Sequence, residues 1–254
     1  MLHPTLETRG LTIRFGGHVA VDAVSCAFER GTLTAIVGPN GAGKTTYFNL
    51  ISGQLRATAG TVWLDGQDIT RAGVASRTRR GIGRAFQLTN LFPNLTVREN
   101  VRLVVQARAR RGFDVLSMAA THAELAARAD EVLAQVRLAH MADRTVAALP
   151  HGDQRKLEVA MLIALESPVL MLDEPTAGMS VDEVPVVLDL VTALKADRSR
   201  TILLVEHKMD VIRSLADRIV VLHNGRLVAD GAPHEVMASP IVQEAYLGVE
   251  AARA

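Results

Sequence analysis

A glycine-rich segment that ends in lysine and threonine has the most specific chemistry of any stretch in this sequence. Residues 38–45 match the pattern G-x-x-x-x-G-K-[ST], and a helix is predicted to follow them over 46–52. Glycines let the backbone curl so that successive N–H groups point at phosphate oxygens. The predicted phosphate-binding residues are Gly38, Pro39, Asn40, Gly41, Ala42, Gly43, Lys44, Thr45 and Thr46.

Two side chains of this loop have separate predicted roles. Lys44 would neutralise charge on the β- and γ-phosphates of a nucleoside triphosphate, and the hydroxyl of Thr45 would ligate Mg²⁺. The positive N-terminal end of the following helix would add to the attraction for phosphate. The loop therefore predicts a site for ATP and Mg²⁺.

A pair of acids forms a second candidate group. Asp173 and Glu174 come directly after the apolar run Val169–Leu172. A buried strand would deliver Asp173 beside the phosphate loop, where its carboxylate holds Mg²⁺ directly or through water. Glu174 would then lie next to the γ-phosphate and polarise an attacking water molecule. Apolar strands that end in acids are common, so this pattern becomes specific only beside the phosphate loop.

A parallel sheet is the element that would bring these residues together. Three apolar runs predict buried strands, and each ends at a polar or glycine-rich segment: Leu33–Val37, Val169–Leu172 and Thr201–Val205. A fourth strand over 218–222 and a return strand over 226–229 are predicted around an Asn-Gly turn. Apolar and polar residues alternate over 6–28, which predicts antiparallel strands. Ligands in such α/β folds bind at the carboxyl ends of the strands.

The middle of the chain, from about residue 89 to 166, predicts helices instead. Thr96 with Glu99 and Thr121 with Glu124 fit the capping box that starts a helix. Asp153 is predicted to cap a third helix that runs through residue 166. A helical insertion would therefore interrupt the α/β core.

Composition narrows the class of protein. The 254 residues carry 28 Lys and Arg against 27 Asp and Glu, so nucleic acid is not favoured as a general partner. Cys26 is the one cysteine, which excludes an internal disulfide and predicts a small buried residue. No signal peptide is predicted, and no apolar run approaches the ~20 residues of a spanning helix. Any membrane association is therefore expected to come through a partner.

In this order, the motifs resemble those of the nucleotide-binding subunits of ABC transporters over essentially the whole chain. The resemblance implies that Gln87 contacts Mg²⁺ and the attacking water at the start of the helical insertion. It implies that His207, after the strand 201–205, contacts the γ-phosphate, and that Phe15 stacks on adenine. Glu174, His207 and Gln87 would be catalytic, and Thr45, Gln87 and Asp173 would hold the metal.

The resemblance also implies a fold. A single ABC ATPase domain over residues 5–254 would contain a P-loop NTPase core with a mixed sheet, an N-terminal antiparallel β subdomain and an inserted helical subdomain. The expected bounds are about 5–87 and 168–236 for the core, 88–167 for the helical subdomain and 237–254 for a C-terminal tail.

The signature sequence of that family, Leu-Ser-Gly-Gly-Gln, is altered here. The matching stretch is 149–153, in which Pro150 replaces the serine that contacts the γ-phosphate across a dimer. The stretch departs from the family pattern at three positions and retains Gly152; Gly152 and Asp153 are the predicted nucleotide contacts. Losing one neutral hydrogen bond costs ~0.5–1.5 kcal/mol, so this half-site would be weakened rather than dead. Ser180 also stands where the family has an aspartate.

The resemblance implies partners. The phosphate loop of one subunit would face the signature of a second ATPase subunit, in a homodimer or a heterodimer, and ATP-driven closure would power transmembrane permease subunits that dock near residues 88–100. Residues 176–179 and 235–248 are similar to the corresponding stretches in ATPase subunits of branched-chain amino acid importers. Those importers also use a periplasmic binding protein. The chain would then sit peripherally on the cytoplasmic face of the inner (plasma) membrane.

Three other functions stay open at this point. The chain resembles, in size and insertion, ATPase subunits that drive lipid or lipopolysaccharide export. A soluble ABC protein of translation or DNA repair usually carries two cassettes or a long coiled coil, which this sequence lacks. A regulatory subunit that does not hydrolyse ATP is opposed by the intact Lys44, Asp173, Glu174 and His207.

Overall fold

The computed structural model describes residues 4–85, 91–109, 118–179, 184–240 and 242–243. The chain divides into two compact units. The sheet unit comprises Met1–Arg84, Pro168–Glu174 and Lys195–Ala254, and the helical unit comprises Ala85–Ser167 and Pro175–Leu194.

Ten strands lie in the described part of the chain. They are β1 (Leu6–Phe15), β2 (His18–Phe28), β3 (Leu33–Val37), β4 (Ala59–Leu64), β5 (Gln67–Asp68), β6 (Ile82–Ala85), β7 (Val169–Asp173), β8 (Thr201–Val205), β9 (Arg218–His223) and β10 (Arg226–Gly231). The predicted strands over 33–37, 169–172, 201–205 and 218–222, and the return strand after the Asn-Gly turn, are confirmed.

The α-helices of the described residues complete the element order. They are α1 (Lys44–Ser52), α2 (Val74–Arg79), α3 (Val97–Arg108), α4 (Met118–Gln135), α5 (His151–Leu165), α6 (Val184–Ala196), α7 (Met209–Leu215) and α8 (Pro233–Ala238). None of the described helices is long and apolar enough to cross a membrane.

The strands form a mixed sheet and an antiparallel sheet, as predicted. Among the described residues, the mixed sheet has the order β10-β9-β3-β8-β7-β6, and the antiparallel sheet has the order β2-β1-β4-β5. Strand β3 pairs in parallel with both β8 and β9, and β7 pairs in parallel with β8. The carboxyl ends of β3, β7 and β8 therefore meet at one edge of the mixed sheet.

The central strands are buried along their whole length. Every residue of β3, β7 and β8 is buried, which explains why their sequences are continuous apolar runs rather than alternating ones. One core cluster combines buried residues of both sheets and of α1, and it includes Phe28, Phe48 and Met171. Apart from Thr34, the polar residues of these strands stand at strand ends, at Thr201 and Asp173.

The predicted capping box at Thr96 is confirmed. The Glu99 amide donates to the Thr96 hydroxyl at 3.1 Å, and the Thr96 amide donates to Glu99 Oε2 at 2.8 Å. This satisfies two amides that would otherwise lack acceptors at the start of α3.

Three predicted helix starts are wrong. Helix α1 begins at Lys44 rather than Thr46. Its N-cap is Gly43, whose left-handed backbone is not helical, and the helix starts directly after it. Helix α4 begins at Met118, so Thr121 lies inside it; the residues before Thr121 are good helix formers and extend the helix backwards.

The third error concerns α5. Its N-cap is Pro150, whose backbone is extended with ψ 154°, so Asp153 lies in the first turn and does not cap the helix. The Asp153 carboxylate instead accepts a hydrogen bond from Lys156 Nζ at 2.7 Å. An acid in the first turn still interacts favourably with the positive end of the helix.

Candidate functional site

A cavity of about 350 Å³ lies at the edge of the sheet unit where β3, β7 and β8 end. Its lining contains the residues that follow each of these strands and two residues of β2. The lining residues are His18, Ala20, Asn40, Gly41, Ala42, Gly43, Lys44, Thr45, Thr46, Glu174 and His207. The structure thus brings together most of the predicted phosphate-binding residues with two of the predicted catalytic ones.

Two glycines of the loop are required by close backbone contacts. A Cβ atom on Gly38 would lie 2.1 Å from the carbonyl oxygen of Leu222, and one on Gly43 would lie 2.4 Å from that of Ala20. Gly43 also has a φ of +96°, which L-residues with a side chain rarely adopt. The loop is therefore packed against the ends of β9 and β2, and its path is fixed by the surrounding backbone.

Helix α1 begins inside this cavity lining. Its first residues, Lys44 and Thr45, line the cavity, and its first turn contains no acidic residue. The free N–H groups and the positive end of the helix dipole at this position favour an anion. This part of the cavity lining therefore favours an anion over a cation.

Lys44 is held against the loop that precedes it. Its Nζ donates to the carbonyl oxygens of Gly38 at 2.7 Å and Pro39 at 3.0 Å, and the residue is buried. Burial lowers the pKa of the Lys44 ammonium, and the negative charges of Glu174 and Asp173 oppose this shift. Gly38 and Pro39 therefore position the lysine through their carbonyl groups.

Glu174 and His207 meet although 33 residues separate them in sequence. His207 Nε2 lies 2.6 Å from Glu174 Oε1, and both side chains line the cavity. The Glu174 amide donates to the Val205 carbonyl at 2.9 Å, and its φ is +51°. A non-glycine residue in this region is uncommon, and such strain clusters at functional sites.

Asp173 ends β7 in a buried ion pair that the sequence interpretation did not include. Its Oδ2 lies 2.7 Å from Nη2 of Arg84, with the side chains 1% and 7% exposed respectively. Burial raises the pKa of the Asp173 carboxyl, and the hydrogen bond from Arg84 opposes this shift. The other oxygen, Oδ1, is buried and has no hydrogen-bond partner among the described residues.

The donor set fits a magnesium ion. Asp173 Oδ1 is a buried acceptor to which none of the described residues donates, and Thr45 is one of the residues that line the cavity. Mg²⁺ takes oxygen ligands and is usually bound by one or two carboxylates together with substrate phosphates.

Phe15 lies at the end of β1, in the hairpin that leads to the cavity. It is 50% exposed, and it pairs across the hairpin with His18, which lines the cavity. An exposed aromatic ring of this kind offers a flat apolar surface. This exposure shows that Phe15 is not a core residue, and its stacking on adenine stays a prediction.

Two predicted nucleotide contacts are not among the residues of this lining. Gly152 and Asp153 belong to the helical unit, in the first turn of α5, where Gly152 is buried. Gln87 and Ser180 lie outside the described residues.

Sequence reasoning missed Arg84, His18 and Ala20. No strand was predicted over Ile82–Ala85, so Arg84 was not recognised as a buried charge that requires a partner of opposite charge. His18 and Ala20 follow Phe15 along the same hairpin, but no local pattern distinguishes them from the rest of β2. Their position in the lining depends on where β2 passes the loop.

The comparisons with known proteins cover the whole chain. Residues 21–177 match the family model described as ABC transporter, and residues 226–252 match that described as branched-chain amino acid ATP-binding cassette transporter. The second match includes most of the tail whose resemblance the sequence indicated.

Curated relatives align from end to end. The chain is 37% identical to the high-affinity branched-chain amino acid transport ATP-binding protein BraF of Pseudomonas aeruginosa, over 98% of this chain and 99% of that protein. It is 36% identical to the high-affinity branched-chain amino acid transport ATP-binding protein LivG of Escherichia coli strain K12, with the same coverage of each chain.

Solved structures agree with this assignment. The ADP conformation of an ATP-binding cassette of an ABC transporter superposes with a TM-score of 0.82 at 28% identity, covering 97% of this chain and 100% of that one. A nucleotide-free cassette gives a TM-score of 0.81 at 28% identity, with 95% and 98% coverage. The cavity at the sheet edge, the full-length relatives and the cassette fold together show that the chain belongs to the ATP-binding, ATP-hydrolysing subunits of ABC transporters.

Proposed function

We propose that this chain powers the import of branched-chain amino acids, or of related small amino acids and amides, by hydrolysing ATP. The observation that carries the substrate class is the end-to-end similarity to two proteins named for branched-chain amino acid transport, together with the family match over residues 226–252. Lipid or lipopolysaccharide export is not favoured, because none of these names points to it.

Phosphate binding is assigned to the loop and to the start of α1. Backbone N–H groups of 40–46 would contact the phosphate oxygens, and Lys44 would turn from the loop carbonyls to the β- and γ-phosphates. Phe15 would stack on the adenine ring. Mg²⁺ would add positive charge against the phosphates, held by Thr45 and Asp173, with Gln87 as a further ligand.

Hydrolysis is assigned to Glu174 and His207. The 2.6 Å contact of their side chains fixes both at the cavity wall. Glu174 would accept a proton from, or polarise, the attacking water, and His207 would contact the γ-phosphate. Gln87 would contact the same water.

The remaining parts of the proposal concern assembly. The start of α5, with Gly152 and Asp153, would contact ATP held by a second ATPase subunit, identical or not. ATP would bind the closed pair better than the open one and shift the population toward closure. The region 88–100 would dock on permease subunits, with a periplasmic binding protein delivering substrate, so the chain would be peripheral on the cytoplasmic face of the membrane.

The domain organisation follows the same proposal. A core of about 5–87 and 168–236, a helical subdomain of about 88–167 and a tail over 237–254 would form one ATPase domain. The tail would pack against the core.

Uptake of radiolabelled leucine tests the substrate class. Cells that lack their own leucine importers would express this chain with its permeases, alongside a Lys44→Met version. We expect uptake that depends on Lys44. Equal uptake by both versions, in cells where both proteins are present at equal levels, would refute the proposal.

A further inference from the structure

We infer that Arg84 is a positioning residue for the metal-binding carboxylate: it holds one oxygen of Asp173 and leaves the other available to Mg²⁺. This inference rests on the proposed function, because it takes Asp173 to be a magnesium ligand. It adds a residue on β6 to a site otherwise formed by residues of β2 and by residues at or after the ends of β3, β7 and β8.

The first step of the argument is the geometry of the ion pair. Arg84 Nη2 lies 2.7 Å from Asp173 Oδ2, and the two side chains are almost completely buried. A charge-assisted hydrogen bond in such surroundings is short and directional, so it fixes the rotation of the carboxylate. The two oxygens of Asp173 are therefore not equivalent.

The second step is the state of the other oxygen. Asp173 Oδ1 is buried and has no hydrogen-bond partner among the described residues. A buried acceptor without a donor is costly, and native proteins rarely keep one without a reason. A magnesium ion, or water bound to it, would satisfy this oxygen while Arg84 keeps the other.

The third step is what holds Arg84. Its Nη1 donates to Asn49 Oδ1 at 2.7 Å and to Ser52 Oγ at 3.0 Å, and its guanidinium carbon lies 5.6 Å from the centre of the Phe48 ring. All three residues are on α1, the helix whose first turn carries Thr45. Arg84 therefore connects Asp173 to the helix that carries the second predicted metal ligand.

A purely structural bridge between α1 and β7 is the competing explanation. If Arg84 is only such a bridge, its substitution would weaken folding and ATP binding whether or not metal is present. A positioning residue would instead affect the metal more than the nucleotide, because outer-shell partners of metal ligands typically change metal affinity by about 10- to 100-fold. The two explanations therefore predict different ratios between the loss of metal affinity and the loss of metal-free nucleotide affinity.

The experiment measures metal and nucleotide affinities separately. Mn²⁺ binding is followed by electron paramagnetic resonance with a non-hydrolysable ATP analogue, and binding of the analogue alone is measured in EDTA. Arg84→Gln removes the charge and Arg84→Lys keeps it. Arg80→Gln is the matched control, because the Arg80 side chain is exposed and donates to Gln67 Oε1 at 3.3 Å.

We expect Arg84→Gln to weaken Mn²⁺ binding by about 10- to 100-fold with metal-free nucleotide affinity unchanged. Arg84→Lys should recover part of the loss, because lysine holds the carboxylate but cannot also reach both α1 side chains in the fork geometry of arginine. Arg80→Gln should match the unmodified protein.

Two results would overturn the inference: unchanged Mn²⁺ affinity in Arg84→Gln, or an equal loss of metal-free nucleotide affinity. If Arg84→Gln fails to fold, the double variant Asn49→Ala with Ser52→Ala loosens Arg84 and keeps the ion pair; unchanged Mn²⁺ affinity there also contradicts it. Failure of the unmodified protein to bind the nucleotide analogue would instead refute the proposed function.

Discussion

The cavity at the sheet edge and the first turn of α5 are both assigned to ATP, but they are built differently. At the sheet edge, the proposed function uses the side chains of Lys44, Asp173, Glu174 and His207, and each of these has a defined partner in the structure. At the start of α5, the N-cap Pro150 has no side-chain hydrogen bond to the helix. At the start of α5, the groups assigned to ATP are therefore the backbone N–H groups of the helix end.

This difference explains why one region matches its family pattern and the other departs from it. Helix N–H groups face an anion whatever side chains the first turn carries, so substitutions there change a small part of the interaction. A buried lysine or a carboxylate at a strand end has no backbone substitute. Substitutions should therefore have large effects at the sheet edge and small effects at α5.

The largest effect is expected for Lys44→Met. Removing the only cation of the loop should abolish ATP hydrolysis and reduce ATP affinity severely, because no other described side chain in the lining carries a fixed positive charge. Hydrolysis and equilibrium ATP binding are measured, with circular dichroism as the control for folding. Undiminished hydrolysis would show that the phosphate assignment is wrong.

Glu174→Gln should affect turnover but not binding. Loss of the base should slow hydrolysis by about 10²- to 10⁴-fold while ATP affinity is retained. Gel filtration with ATP and Mg²⁺ should then show a trapped dimer. Glu29→Gln, on an exposed residue outside the cavity lining, is the matched control. If the variant stays monomeric even with a candidate sister subunit present, the proposed dimer with ATP between its two subunits is contradicted.

Gly43→Ala compared with Gly41→Ala tests whether the loop path is fixed by its surroundings. Both glycines have positive φ, but a Cβ on Gly43 meets the Ala20 carbonyl at 2.4 Å and one on Gly41 meets nothing within 4 Å. Gly43→Ala should lower the free energy of unfolding by about 1–3 kcal/mol more than Gly41→Ala. Equal values in urea titrations would mean that the loop moves freely.

The smallest effect is expected for Pro150→Ser. The serine restores at most one hydrogen bond, about 0.5–1.5 kcal/mol, at the start of α5. Hydrolysis by the assembled transporter should therefore rise slightly or stay the same. A large loss of activity would show that the proline is required for the helix start, and that the two regions differ less than their construction suggests.

Elements that depend on local pattern could be predicted from the residues alone. Continuous apolar runs identified β3, β7 and β8, because strands buried on both faces have no polar alternation. The glycine-lysine loop and the acids after β7 were identified because their spacing is set by short-range backbone geometry. The capping box at Thr96 followed from residues three apart.

Contacts between groups that are distant in sequence could not be predicted in this way, because they follow from how the strands are arranged in space. The Arg84–Asp173 pair joins residues 89 apart and the Glu174–His207 contact joins residues 33 apart. These contacts depend on the order and register of parallel strands, which no local pattern encodes. The starts of α4 and α5 were mispredicted for a related reason: several residues near each start can begin a helix, and the surrounding packing selects one.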